Sequence, residues 1–267
     1  MRTKCYKSYL VKVAFNVLVT RPKNQAENLC ALIEQSGATP IRFPVLDIIP
    51  VEPSDKIKRI LNTLQQYQWL FFVSANAVNF ALRANNGKID ISQHVCIVAV
   101  GLATAGALRN AGLNVNLVPE QGFNTEAILA MPQLQEINGQ SCLIVRGQGG
   151  RELLAQTLEQ RGAQVYYLEL YRRIMPDTDA GPVEKLLHQN KLDVITITSG
   201  EALNNMLKML DSSVHRQLLA TPLAVISQRI RQLAIELGFK QVFVSEQPAD
   251  TALVKAIVNG EKCGRSE

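Results

Sequence analysis

The sequence predicts an α/β protein built from two parallel-sheet domains, the first of them discontinuous. Short β-branched and apolar runs alternate with segments of helical period, which is the rhythm of parallel βα units. Most of these runs are apolar at consecutive positions, as suits strands covered on both faces. About ten of them occur, more than one ordinary sheet takes up, and this divides the chain in two.

The first strand, over 16–20, runs through Thr20-Arg21-Pro22 into a helix over 24–35. That helix stops at Ser36-Gly37, where glycine accepts the positive φ of a helix exit. The apolar stretch 39–51 is long for one strand. Strand 69–73 passes through Ser74, an N-cap residue, into helix 76–84, and strand 95–100 leads to helix 104–111, closed by Ala111-Gly112. A short strand is expected over 115–118 and a helix over 125–129. Strand 141–145 and helix 151–161 flank a glycine-rich loop, and Arg161-Gly162 separates that helix from strand 164–171, part of a second long stretch, 163–176. Helix 182–189 and strand 193–198 follow, then Ser199 caps helix 201–210. Strand 223–226, Ser227 and helix 228–237 end at Leu237-Gly238, before strand 241–244 and helix 250–258. The two long stretches are the candidate crossings. Leaving one domain near Phe43 and returning near Tyr171 gives a first domain of 1–43 with 172–267 and an inserted domain of 44–171, with linker strands near 39–51 and 163–176.

Composition narrows the function. With 47% hydrophobic and 19% charged residues over 267 positions, the chain has the apolar surface that disordered sequences lack. Its net charge of +5 is spread along the chain, which favours an anionic partner without naming one. Aromatics are 6% and form no stacking series, so no nucleic-acid partner is expected. Cys5, Cys30, Cys96, Cys142 and Cys263 are odd in number and far apart, with no C-x-x-C pair; they read as thiols of a reducing compartment. Lys12 and Asn16 interrupt the first apolar stretch, and no run approaches the ~18 apolar residues of a membrane span. A cytoplasmic protein without membrane contact is expected, with 1–13 as a short extension.

In open parallel sheets, ligands bind where strand ends meet helix N-termini, because the first-turn amides and the helix dipole favour negative charge there. Six such turns carry small or hydroxyl residues: Thr20-Arg21-Pro22, Ser74-Ala75-Asn76, Val100 to Thr104, Arg146 to Arg151, Thr198 to Glu201 and Ser227-Gln228-Arg229. Singly, each serine is explained by capping. Together, at one end of two sheets facing each other, they point to a cleft for an anionic ligand. Arg146-Gly147-Gln148-Gly149-Gly150-Arg151 lacks the G-x-G-x-x-G spacing, and no Gly-Lys-Ser/Thr occurs, so a nucleotide fingerprint is missing. Its bare amides between two arginines suit carboxylates instead. His94, His188 and His215 show neither triad order nor metal spacing, and Asp47, Glu152 and Glu169 have no partner at a telling distance in sequence. Tyr171 closes its strand where the crossover begins, the one acid-base side chain that the pattern places at the inter-domain opening.

The segments Val17-Leu18-Val19-Thr20-Arg21-Pro22, Phe43-Pro44, Ser74-Ala75-Asn76-Ala77-Val78, Val100-Gly101-Leu102-Ala103-Thr104-Ala105, Arg146 to Arg151, Leu170-Tyr171-Arg172 and Thr198-Ser199-Gly200 resemble, in order and spacing, the bacterial uroporphyrinogen-III synthases. The resemblance runs from about Asn16 to about Val258. It implies two flavodoxin-like α/β domains, the first discontinuous, joined by a two-stranded linker. It implies a cyclising hydro-lyase that closes the linear tetrapyrrole hydroxymethylbilane with loss of water and inversion of ring D. The family's route, through an azafulvene cation and a spiro-pyrrolenine, uses no metal or organic cofactor. By the same resemblance Tyr171 is the hydrogen-bond donor to the leaving hydroxyl, and Ser74, Thr104, Gly147 and Ser199 lie in turns that meet the acetate and propionate arms. Arg21, Arg146 and Arg151 join them on charge and place, with Gly149, Gly200 and Ser227 from the same turns. A small-molecule partner, a monomer and transient contact with the preceding enzyme of the pathway are expected.

One loop departs from the family. Where relatives carry glycine, a small residue and paired threonines, this chain has Ser227-Gln228-Arg229-Ile230. Two other classes fit the architecture: a non-catalytic module closing on an anionic small molecule, and a nucleotide-using transferase. The first is disfavoured by the missing secretion signal and the second by the missing phosphate loop.

Overall fold

The computed structural model describes residues 15–122 and 124–264. Segment 1–13, with Cys5, lies outside them. The chain divides into two compact units, 1–47 with 174–267, and 48–173.

The first unit is a five-stranded sheet of order β10-β9-β8-β1-β2, formed by Asn16–Val19 (β1), Thr39–Arg42 (β2), Val194–Ile197 (β8), Leu223–Val225 (β9) and Val242–Val244 (β10), all parallel. Successive residues of β1 serve opposite faces. Val17 and Val19 pack with Leu29 and Ile33 of helix α1 (Glu27–Gln35) and with Leu253 and Ile257 of α11 (Asp250–Gly264). Leu18 faces the other layer, with Leu187 of α7 (Gly181–His188), Met206 of α8 (Gly200–Met209), Leu218 of α9 (His215–Ala220) and Ile230 of α10 (Gln228–Glu236). Both faces are dry, which is why the run is apolar without alternation. Each such side chain contributes about 1.5–3 kcal/mol by leaving water.

The second unit is also a five-stranded sheet, of order β3-β7-β6-β4-β5, with its first strand at the edge: Asp47–Pro50 (β3), Trp69–Phe72 (β4), Cys96–Ala99 (β5), Ser141–Gly147 (β6) and Gln164–Ile174 (β7). Leu70, Phe72 and Val145 face helices α2 (Asp55–Asn62), α3 (Ala75–Ala84) and α4 (Leu102–Asn110), while Phe71 and Ile144 face α5 (Thr125–Leu129) and α6 (Leu153–Gln160). Burial pushes the Cys142 thiol up to about 12. Gly37, Gly112, Gly162 and Gly238 all take positive φ at the helix exits where the sequence put them.

The structure corrects several expectations. The unit boundary lies at 47/48 and 173/174, not 43/44 and 171/172, because Phe43 and Val45 are fully buried in the first unit's core. Stretch 39–51 is two strands. Pro44 has no amide to donate, and Val45 turns its N–H to the Thr20 carbonyl, so β2 stays with β1 while β3 joins β7. Segment 115–118 contributes a single bridge, Leu117 to Val98, and Asn116 spends its side chain on the Ile97 amide. Strand β7 continues past Tyr171 to Ile174, and helices α2 and α9 stand outside the elements expected from the sequence.

Candidate functional site

In the second unit the carboxyl ends of β4, β5 and β6 open onto the N-termini of α3, α4 and α6. A cavity of about 270 Å³ lies there, lined by Val73, Thr125, the loop Arg146 to Arg151, Tyr171 and Arg173. Ser74 caps α3 by accepting the Ala77 amide at 3.1 Å, and the same Oγ lies 2.9 Å from the Tyr171 hydroxyl. Tyr171 is 2% exposed, its ring stacked on Phe80. An irregularity in the β6–β7 ladder brings it there: Arg146 pairs with Glu169, but Gly147 pairs with Tyr171, so Leu170 is the extra residue. Such a bulge re-aims the side chain beyond it. A Cβ at Gly147 would stand 2.7 Å from Tyr171 Cζ, so only glycine lets the ring lie this close.

Arg146 is buried and matched in charge. Its guanidinium meets Glu152 at 3.0 Å and Glu169 at 4.0 Å, donates to the Gly147 carbonyl, and lies 4.9 Å from the centre of the Tyr167 ring. Tyr167 donates to Glu152. That bond and the one from Arg146 hold the Glu152 carboxyl below its usual range. Burial, then the bond to Glu152, pushes the Tyr167 phenol up to about 12. Glu152 and Glu169, which showed no partner in sequence, thus brace the loop through Arg146. Gly149 takes φ +65°, and a Cβ at Gly150 would meet Arg146 Nη2 at 2.7 Å. Arg151 is the loop's exposed cation, 3.5 Å from Glu126. Thr104 is buried in the first turn of α4.

In the first unit, Ser199 caps α8 through the Ala202 amide at 3.0 Å, Gly200 starts that helix with Leu233 3.0 Å from where a Cβ would be, and Ser227 caps α10 through Ile230 at 3.4 Å. Arg21, after β1, is paired with Asp250 at the start of α11. The structure therefore brings Ser74, Arg146, Gly147, Gly149, Arg151 and Tyr171 together on one sheet edge. Arg21, Ser199, Gly200 and Ser227 lie at the carboxyl edge of the other sheet.

Sequence reasoning missed Thr125, Arg173 and Phe80. Asn124, which caps α5 through the Ala127 amide at 2.8 Å, is the signal that could have found Thr125. Among the described residues no three His, Cys, Asp or Glu side chains could hold a metal ion, and no helix is long and apolar enough to cross a membrane. The arrangement offers helix-start amides for anions and a part-buried pair of hydroxyls, Ser74 and Tyr171.

The uroporphyrinogen-III synthase HemD family model matches residues 27–255. A uroporphyrinogen-III synthase of Escherichia coli (strain K12) is 31% identical over 246 residues, covering 91% of this chain and 99% of its own. That of Salmonella typhimurium (strain LT2) is 30% identical over 247 residues, with the same coverage, 91% and 99%. Among solved structures, a mutant uroporphyrinogen III synthase of the extremely thermophilic bacterium Thermus thermophilus superposes with TM-score 0.66 at 20% identity, over 95% of this chain and all of that one (100%). The synthetase of Helicobacter pylori 26695 gives 0.56 at 13%, over 94% and 100%. These two likenesses speak to the fold alone. With the family model spanning both units and near full-length relatives at 30% identity and above, the chain belongs to the uroporphyrinogen-III synthase HemD family.

Proposed function

We propose that the chain is a uroporphyrinogen-III synthase, a hydro-lyase that closes hydroxymethylbilane into uroporphyrinogen III with ring D inverted. The observation that carries this reading is the match over almost the whole length of proteins bearing that name. Tyr171 donates a hydrogen bond to the departing hydroxyl, which takes up a proton and leaves as water; ring closure later gives a proton back, so the net change is the loss of water. Ser74, 2.9 Å away, holds the phenol's direction. Such proton assistance is worth about 10²-fold or more, and the remainder of the rate comes from holding a flexible chain with its ends in register. Each unit by itself offers open helix-start amides to carboxylate arms, at α3, α4 and α6 in the second and at α8 and α10 in the first, with Arg151 adding charge at its loop.

The test is incubation of the purified chain with freshly made hydroxymethylbilane. The enzyme yields the type III isomer; recovery of the spontaneous type I product alone would reduce the chain to a binding module.

A further inference from the structure

Two contacts of the buried Tyr171 ring matter beside its hydroxyl partner. On one side is the bare Cα of Gly147, where an added Cβ would lie 2.7 Å from Cζ and 2.8 Å from Cδ2. Phe80 is the other, its ring stacked on that of Tyr171 with centroids 5.2 Å apart and planes at 23°. Phe80 belongs to the same helix as Ser74: α3 supplies the hydroxyl contact from its N-cap and the ring contact from its second turn. Phe80 also lines a separate cavity of about 400 Å³, with Ile57, Arg83 and Leu170, whose walls do not include Tyr171. Without the Phe80 ring, the Tyr171 side chain gains that space to turn into.

A phenol's oxygen lies at the far end of two torsions, and hydrogen bonds weaken steeply as they bend. A shift of about 1 Å at a reacting group costs up to ~10²-fold in rate. Ser74 alone fixes one point of the side chain, whereas a stacked ring fixes its plane.

We propose that Phe80 is a positioning residue for the reaction: its ring, with the clearance at Gly147, sets the plane of Tyr171 and keeps the phenol oxygen on Ser74 and in line with the leaving group. This rests on the reading of Tyr171 as donor to the departing hydroxyl. It also gives Gly147 a task different from touching substrate, since its missing side chain is what admits the ring.

The experiment measures kcat, KM and the isomer ratio of the full chain for wild type, Phe80→Ala, Phe80→Leu, Phe80→Tyr, Tyr171→Phe and the double variant Phe80→Ala with Tyr171→Phe. Phe80→Ala is expected to lower kcat about tenfold with KM within about twofold, and Phe80→Tyr, which keeps a ring, to recover most of it. Phe80→Leu keeps apolar bulk without a ring and shows the same kcat loss with a native melting profile, which covers the case in which Phe80→Ala folds poorly. In the Tyr171→Phe background, removing Phe80 lowers kcat no further, because the ring acts only through the phenol. An equal loss in both backgrounds, or a change confined to KM, overturns the proposal. A Tyr171→Phe variant with wild-type kcat removes the tyrosine's role and the proposal with it, leaving the activity intact if the type III isomer still forms. Only type I product from wild type would instead remove the activity.

Discussion

At the carboxyl edge of the first sheet, Ser199 and Ser227 each accept one amide, that of the third residue of the helix they cap, and Arg21 is paired with Asp250. At the equivalent edge of the second sheet, Ser74 accepts the same kind of amide and also contacts the Tyr171 hydroxyl. The winding of four strands, the turn and the residue type are shared; the bulge at Leu170 is not. A doubly wound sheet supplies helix-start amides wherever a strand ends, and these hold an anion in place. One further irregularity sets the second sheet apart, a single extra residue in β7 that turns a phenol toward an N-cap serine, and the proposed chemistry rests on it.

The largest expected effect falls on Tyr171. Tyr171→Phe keeps the stacked ring and removes one hydrogen bond, a stability change of about 1 kcal/mol, while kcat falls by about 10²-fold. Steady-state kinetics beside a thermal melt separate the two, and unchanged turnover would make the two sheet edges equivalent after all. Gly147→Ala comes next. The added methyl collides with the Tyr171 ring, so overpacking costs about 1–3 kcal/mol and the phenol moves. A variant with native stability and native kcat would show that the close approach is without consequence.

Ser74→Ala and Ser199→Ala sharpen the comparison directly. Each removes one N-cap, so each lowers stability by about 1 kcal/mol in denaturant melts. Only Ser74→Ala should lower kcat, because only Ser74 has a second partner in the phenol; for Ser199→Ala the kinetic change belongs in KM. Equal kinetic effects at the two positions would mean that the second hydroxyl contact adds nothing.

What the sequence made legible follows the range of the interaction. Consecutive apolar residues such as Val17-Leu18-Val19 announced strands buried on both faces, and Gly37, Gly112, Gly162 and Gly238 marked helix exits, because both signals are written within a few residues. Helix α2 carries such a signal too, with Ser54 as cap and Ile57, Ile60, Leu61 and Leu64 at helical spacing, but it is short and mostly polar, and of its own residues only Leu61 is buried. The site was half legible. Ser74, Gly147 and Tyr171 could be picked out by type and position, but their contact depends on a register slip between β6 and β7 that no local pattern encodes. The partners of the arginines were hidden for the same reason. Arg21 and Arg146 look like free cations in the chain, whereas Asp250, far away in sequence, and Glu152 with Glu169 match their charges. The proposed function then leans on amides more than on these two arginines, and affinity should fall with added salt less steeply than a count of arginines suggests.

The smallest effect concerns the brace behind the loop. Glu152 is held below its ordinary value of 4.5, first by the Tyr167 hydroxyl and then by Arg146, so its contribution is present above that value and is lost as the pH falls through the lower folded-state value. Tyr167 is raised from 10.0 to about 12, so its contribution is complete below 10 and disappears as the pH rises through about 12. Between these limits the brace is insensitive to pH. With the Glu152 side chain 52% exposed, solvent and salt screen much of the interaction. Glu152→Gln should therefore leave the melting temperature at pH 7 within a few degrees, flatten its decline below about pH 4.5, and leave the first unit's helix caps untouched. An acid limb as steep in Glu152→Gln as in wild type would place the acid-sensitive carboxylate elsewhere. The Gly147 to Arg151 loop would then owe its shape to backbone geometry at Gly149 rather than to the Arg146 ion pairs.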